Sequence, residues 1–483
     1  MKKLYKYFIL SLPAVLFLSN FPLLKLGETE TMHLEVSLPE LWLVLFALIS
    51  LKNLKNLIRF YKTKTLAILS LFPLYATLSL LWTKNPLRGL LTVGLLWLVL
   101  FAALNIIYVI KNEKSAFPRR KIVFAVLIPS LVVSVFCWLQ CFLDLAGLPR
   151  ENSLLCLGCV STTFGFPHPN GFAIEPQFMG NLLLAPTLLS FYLLSDTKKP
   201  QKTRILLFAT AFFLSATLFL TFSRGAIYAF LAAAVLLACL LLRKPCRSLL
   251  TFPIIIISFV ITLCVQGIFA ELSPTSDTFS TGVTKAVHHL SLGLLDFRSV
   301  AEQPASVLAK NPAKPAQIAA SDPVNPDYKP ESRFSGYVPE STNVRLSFTN
   351  YAFDVWNDSP ATLVFGSGLG SAGSVIFEKH PEISSPKEIV QNEYASLLLE
   401  LGLAAYLILL FEIIYFAKLS INSHKSTKST SVNKFILALI IAYAITLLFF
   451  SGLPNALHIY LLPPLLSVGL REVSKREMKP FYI

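Results

Sequence analysis

Residues 90–110 read Leu-Leu-Thr-Val-Gly-Leu-Leu-Trp-Leu-Val-Leu-Phe-Ala-Ala-Leu-Asn-Ile-Ile-Tyr-Val-Ile, without one charged side chain. As a helix rising 1.5 Å per residue, a run of about 20 such residues is about 30 Å long, the thickness of a bilayer's hydrocarbon core. Comparable runs occupy about 5–24, 39–51, 65–82, 122–147, 172–194, 205–222, 226–242, 249–270, 394–417, 435–452 and 455–470. Several carry a proline, namely Pro13, Pro73, Pro129, Pro186 and Pro253. The chain of 483 residues is 54% hydrophobic and 14% charged. A soluble globular chain carries about 25% charged residues. The shortfall excludes an ordinary soluble protein and most disordered ones. The pattern predicts an all-α polytopic membrane protein with about twelve transmembrane helices.

Charge tests that count. The formal net charge is +15, from 42 Lys and Arg against 27 Asp and Glu. If Met-Lys-Lys-Leu-Tyr-Lys faces the cytoplasm and the runs alternate, one side collects 28 of the 42 bases but only four acids, Glu113, Asp196, Glu472 and Glu477. The opposite side holds the other 14 bases and 20 acids. Cytoplasmic loops carry such an excess of Lys and Arg. The positive charge is therefore a topology signal, and it predicts cytoplasmic N- and C-termini in a cytoplasmic (inner) membrane protein. No basic patch remains for a nucleic acid once these loops are explained. Residues 1–20 resemble a secretory signal, yet no small-x-small cleavage site follows, so they are read as a retained first span.

The predicted organisation has three parts: 1–270 as spans 1–9, 271–393 as one large extracytoplasmic loop, and 394–483 as spans 10–12 with a basic cytoplasmic tail. The loop holds 14 acids and nine bases. Its middle, 301–340, is rich in proline (Pro304, Pro312, Pro315, Pro323, Pro326, Pro330, Pro339) and is expected to be extended and flexible. Within 341–357, Val344, Phe348, Tyr351, Ala352 and Val355 share helical spacing after a Ser341 or Thr342 cap, which predicts an amphipathic helix. A second outer loop contains Cys156-Leu-Gly-Cys159 and Pro167-His168-Pro169. A lone CxxC lacks the second ligand pair of a zinc site, so a local cross-link or free thiols is the plainer reading.

Ionisable groups at membrane depth are costly, which makes them functional candidates. Glu175, in Phe-Ala-Ile-Glu-Pro-Gln-Phe-Met (172–179), Glu400 and Glu412 qualify. Glu412, near the inner end, is read as paired with a neighbouring helix or set near the interface. Arg224 lies in Thr-Phe-Ser-Arg-Gly-Ala (221–226), a connection almost too short to be a loop, on the side where few bases belong. It is either a snorkelling cation or a phosphate ligand, since guanidinium grips phosphate oxygens through two parallel hydrogen bonds. Arg345, on the loop helix, is a second candidate. Gly-Ser-Gly-Leu-Gly-Ser-Ala-Gly (366–373) contains a GxGxxG match, but no βαβ unit surrounds it, so a tight backbone turn is the better reading. No HxxxH, HExxH or GxSxG motif occurs. His380 lies in the large loop shortly before the tenth run.

Taken in order, Phe-Ser-Arg-Gly-Ala (222–226), a large loop with Arg345 and Trp356, Gly-Ser-Gly-Leu-Gly (366–370), Val-Gln-Asn-Glu-Tyr (390–394) and Leu-Glu-Leu-Gly-Leu (399–403) resemble the O-antigen ligase and polymerase superfamily of bacterial membrane glycosyltransferases. The Glu175-Pro176 pair, twelve spans and a large loop between spans 9 and 10 resemble the ligase architecture. The resemblance implies transfer of a glycan from an undecaprenyl-diphosphate carrier to a hydroxyl of a lipid, glycan or protein acceptor, in surface polysaccharide or lipopolysaccharide assembly. It implies no cofactor and no metal. Substrate-binding roles are then expected for Arg224, Arg345, Glu175, Gln391 and Asn392, with membrane lipids around the spans. Members carry His-Asn ahead of the tenth span where this chain reads Gln391-Asn392, so either Glu393 or His380 is expected to take the base's place or the reaction relies on positioning and charge alone. A polymerase joining carrier-linked units and a protein O-oligosaccharyltransferase are rivals that differ in acceptor. A transporter or flippase would favour inverted repeats and midplane charges, and neither is visible.

Overall fold

A computed structural model describes residues 2–19, 22–29, 33–61, 63–113, 116–145, 169–173, 175–195, 200–241, 251–272, 278–291, 334–381, 385–387, 389–423, 430–452 and 456–471. Cys156, Cys159, His168, the 301–333 part of the proline-rich segment and the tail beyond Arg471 lie outside the described residues.

Helix α1 (Lys2–Phe17) leads into an antiparallel hairpin of β1 (Pro22–Glu28) and β2 (His33–Ser37). The helices α2 (Leu38–Phe60), α3 (Thr63–Leu69) and α4 (Leu71–Leu81) follow. Next come α5 (Pro86–Asn112), α6 (Arg119–Leu145), α7 (Pro176–Leu194), α8 (Gln201–Leu220), α9 (Arg224–Leu241) and α10 (Thr251–Leu272). Among the described residues, the connection after α10 holds four helices: α11 (Phe279–Leu290), α12 (Phe334–Trp356), α13 (Pro360–Phe365) and α14 (Ala372–Lys379). The chain then forms α15 (Glu393–Ser423), α16 (Thr430–Thr446) and α17 (Leu457–Gly469).

Each of the twelve apolar runs contains a helix, but not every helix has the reach of a span. Among the described residues seven are long and apolar enough to cross a membrane (α2, α5, α6, α7, α8, α10 and α15), and α3 with α4, bent by 44°, would make an eighth. Helices α9, α16 and α17 are apolar but shorter. The first run also departs from expectation. Helix α1 stops at Phe17, and from Pro22 the chain is an extended strand. Helix α12 starts earlier than predicted, at Phe334 rather than near Ser341, and takes in Pro339. A proline inside a helix removes one donor, a loss that docking of the helix's other half can outweigh. That half buries Ala352 and Val355 against Ile376, Val390, Ala395 and Leu399.

Helix α7 is the axis of the bundle. Every residue from Phe178 to Leu193 is buried, as befits a helix apolar all round. It packs against α6, α8, α9 and α16. A separate junction forms where α15 breaks. Gly402 sits at φ 64°, ψ −169° inside α15, so the carbonyls before it lose their helical partners. Each finds another. Ser367 N–H donates to Leu399 O (2.9 Å), Gly368 N–H to Glu400 O (2.8 Å), and the Tyr75 hydroxyl to Leu401 O (2.8 Å). The approach of backbone to backbone requires glycine: a Cβ on Gly402 would lie 2.4 Å from Val364 O, and one on Gly366 would lie 2.3 Å from the Glu400 carbonyl carbon. Gly368, at φ 90°, meets Thr83 in the same way. The Glu400 carboxylate completes the junction by accepting Ala372 N–H at 3.0 Å.

Gly402→Ala should therefore combine a left-handed φ, worth about 1–2 kcal/mol, with a backbone overlap. It should lower the apparent Tm of the detergent-purified protein by several degrees. Gly94→Ala, whose Cβ would meet open space, should leave the melt unchanged. Equal Tm for both variants would contradict the junction.

Candidate functional site

The site is built around two short turns that meet at one end of α7. The first joins α8 to α9. Thr221 ends α8, Phe222 takes a left-handed φ of 49°, and Ser223 precedes Arg224 at the first position of α9. A bulky residue at positive φ is costly, and such strain clusters at functional sites. The turn is held locally: Thr221 Oγ1 accepts Ser223 N–H at 3.3 Å, and Ser223 O accepts Ile227 N–H at 2.8 Å. Arg224 is buried, with 7% of its surface exposed. It stands at a helix N-terminus, where the unpaired N–H groups and the helix dipole already favour an anion.

The turn can sit on α7 because of one glycine. A Cβ on Gly180 would lie 2.8 Å from the Ala226 Cβ and 2.9 Å from that of Ser223. Gln177 is three residues earlier and shares that helix face. Its Oε1 accepts from an Arg345 guanidinium nitrogen at 3.0 Å, and its Nε2 donates to Phe449 O at 2.7 Å. Gln177 thereby connects the loop helix α12 to the second turn, residues 447–452, between α16 and α17. Phe449 also packs against Gly225, beside Arg224, where a Cβ would lie 2.8 Å from the Phe449 Cβ.

Glu393 holds the other side of the second turn. Its backbone N–H donates to Leu447 O at 2.9 Å. Its carboxylate Oε2 accepts Ser451 Oγ–H at 2.9 Å and Gly452 N–H at 2.6 Å. Both bonds fall on one oxygen, which leaves the acceptor capacity of Oε1. Arg224, Arg345, Gln177 and Glu393 thus border the same 447–452 turn. A third element reaches this region from α11. The buried His289 ring lies against Phe222, with Nε2 3.2 Å from the Phe222 carbonyl oxygen. Burial pushes the His289 pKa down to about 3, and the Arg224 charge, with a smaller share from Arg345, adds to the shift. Both arginines therefore act on one imidazole.

The remaining expected residues fall elsewhere or take other roles. Glu175 is exposed at the start of α7, and its side chain makes no cap hydrogen bond. Asn392 Oδ1 accepts Tyr394 N–H and Ala395 N–H at 3.1 and 3.2 Å, so it caps α15. Gln391 is half-buried ahead of that cap. His380 stacks on Tyr351 (centroids 4.4 Å apart) and its Nε2 lies 3.1 Å from Asp354 Oδ2. Lys379 joins that cluster, 2.9 Å from Asp354 and 2.6 Å from Asp358. The Lys379 ammonium, then His380, holds the Asp354 carboxyl below its ordinary range. Glu412 accepts Phe72 N–H at 3.2 Å, the neighbouring-helix partner expected of it. Among the described residues no three His, Cys, Asp or Glu side chains gather as metal ligands.

Sequence reasoning did not single out Gln177, His289, Ser451 or Gly452. Gln177 was within reach, two residues from Glu175 in the same motif. Ser451-Gly452 read only as a gap between apolar runs, and nothing in sequence ties it to Glu393.

Residues 209–410 match the family model described as O-Antigen ligase, Wzy_C. The match spans less than half of the chain. It carries Arg224, His289, Arg345, the glycine turn and Glu393, while Gln177 and the 447–452 turn lie outside it. No curated protein matches the chain. Over that stretch the chain is similar to the O-antigen ligase family, and its apolar helices fit a membrane protein.

Gly180→Leu should displace the Arg224 turn from α7. A shift of about 1 Å in a catalytic group costs roughly 10²-fold in rate. A glycan-transfer assay on the reconstituted protein should show a loss of that order for Gly180→Leu, and near-normal transfer for Glu175→Gln. A Glu175→Gln loss matching that of Gly180→Leu would refute this assignment of the two positions.

Proposed function

We propose that this membrane protein transfers a glycan from an undecaprenyl-diphosphate carrier to an acceptor hydroxyl, in the manner of an O-antigen ligase, on the extracytoplasmic face of the inner membrane. The observation that carries the proposal is the placement of two arginines about one turn: Arg224 is buried at the head of α9 next to Gly225, which packs on Phe449, and Arg345 is held by Gln177, which donates to the Phe449 carbonyl. The matched ligase domain and the basic bias of the opposite loops support it.

The chemistry needs three things. The bond from the anomeric carbon to the diphosphate oxygen breaks, and that oxygen leaves with the electron pair. Fixed guanidinium groups and the N-terminus of α9 stabilise the charge that develops there. The acceptor hydroxyl forms the new bond to the anomeric carbon and must lose a proton. Glu393, with Oε1 not used in holding the turn, is the better base on this geometry than His380, whose ring is held by Tyr351 and Asp354. Gln177 positions Arg345. The lipid tail lies along the apolar helices.

The test is Arg224→Ala in a reconstituted transfer assay with carrier-linked glycan. Loss of one fixed charge that stabilises a transition state costs about 10²–10³-fold. Arg224→Ala should reach that loss while the protein stays inserted and monodisperse. Transfer at the parent rate would overturn the assignment. In cells, deletion should leave complete polymer on its carrier. Accumulation of single carrier-linked units instead would favour a polymerase.

A further inference from the structure

The loop helix α11 does more than lead from α10 towards α12. It docks on α10 through two close approaches, where a Cβ on Gly282 would lie 2.6 Å from the Ala270 Cβ and one on Gly267 would lie 2.5 Å from the Phe279 ring. Gly282, Ala286 and His289 form its buried stripe, spaced four and three apart. The stripe ends on the Arg224 turn. There the His289 ring faces Phe222, the one non-glycine residue at positive φ among those described. Tyr228, one turn into α9, donates its hydroxyl to the Leu290 carbonyl. The end of α11 is thus tied to the start of α9 at two adjacent points.

The chemistry of the His289 contact has one solution. A carbonyl oxygen only accepts, so the Nε2 at 3.2 Å from Phe222 O must carry the hydrogen. The neutral ring then has its lone pair on Nδ1. The charges around it are Arg224 on the α9 turn, Arg345 on α12 and His288 on its own helix, and none of them favours a protonated ring. A ring so disposed is poorly suited to take up a proton from an acceptor hydroxyl near neutral pH. It is well suited to hold a carbonyl.

We propose that His289 is a positioning residue for Arg224: its Nε2–H, donated to the Phe222 carbonyl, clamps the left-handed turn that aims the guanidinium, and so makes the arginine's placement depend on the docked loop helix. This rests on the transferase reading for its consequence in catalysis, but the clamp itself is a property of the fold. An isolated Phe222 at φ 49° would relax towards ordinary backbone. The hydrogen bond from a buried partner holds it where it is.

The two roles open to a histidine here separate cleanly. His289→Gln keeps an N–H donor at the reach of Nε2 but has no titratable group. His289→Leu removes the donor at similar volume. In the reconstituted transfer assay, His289→Gln should stay within about threefold of the parent, whereas His289→Leu should lose roughly 10–10²-fold, as for a misplaced catalytic group. The pH profile of His289→Gln should coincide with the parent's. A His289→Gln variant as inactive as His289→Leu would overturn the proposal, and so would a His289→Leu variant as active as the parent. The second arm needs no substrate. Hydrogen exchange on peptides covering 221–227 should rise at least tenfold in His289→Leu and stay unchanged in His289→Gln. If the parent transfers no glycan, the transferase reading fails while this arm still decides the clamp, and equal exchange in all three proteins would refute it. If His289→Leu does not fold, loss of protection in His289→Gln would refute it equally.

Discussion

In a hydrocarbon environment a backbone N–H or C=O released from a helix has no water to bond, and each such group left alone costs several kcal/mol. Among the described residues that constraint is visible at several interruptions. The bend between α3 and α4 frees Phe72 N–H, which Glu412 accepts. The break at Gly402 frees three carbonyls, which Ser367, Gly368 and Tyr75 satisfy. The Ala372 N–H at the head of α14 goes to Glu400, and the Gly452 N–H goes to Glu393. The carboxylates that are hardest to place in a membrane are therefore the acceptors that make its irregular backbone tenable. They are costly alone and favourable where they stand.

The site follows from this rather than standing apart from it. Once the turn at 447–452 is tied to Glu393, its Phe449 carbonyl is fixed, and Gln177 can bridge from it to Arg345. Once Gly180 admits the 221–226 turn to the face of α7, Arg224 comes to the same place. The side chains of the candidate site are thus held by elements that were already needed to close the backbone.

The apolar runs were legible because hydropathy is a local property, and all twelve do hold helices. What was not legible is how much of each run is straight helix. Sequence gives no sign that α1 would stop at Phe17 with a hairpin following from Pro22, or that Gly402 would break α15. Both are outcomes of what packs nearby. For the site, Arg224 stood out as a base on the side where few bases belong, a signal carried by a single residue, while Arg345 and Glu393 gained their roles from the series of short motifs that resembles the ligase family. Gln177, His289 and Ser451 did not stand out, because uncharged polar residues are common at helix ends and their importance is in the partner. Gly180 and Gly402 are likewise silent until a neighbour is known. Asn392, expected from sequence to bind substrate, has its oxygen engaged in the fold in capping the helix that presents Glu393, a contact that sequence does not reveal.

The central claim is that one lipid diphosphate lies between Arg224 and Arg345 beside the 447–452 turn. The most direct measurement is a cryo-EM structure of the protein in lipid nanodiscs with a polyprenyl-diphosphate-linked sugar. The account predicts diphosphate density within hydrogen-bond reach of both guanidinium groups, at the N-terminus of α9, with the sugar directed towards Glu393. A carrier bound elsewhere, with neither arginine in contact with phosphate, would contradict it.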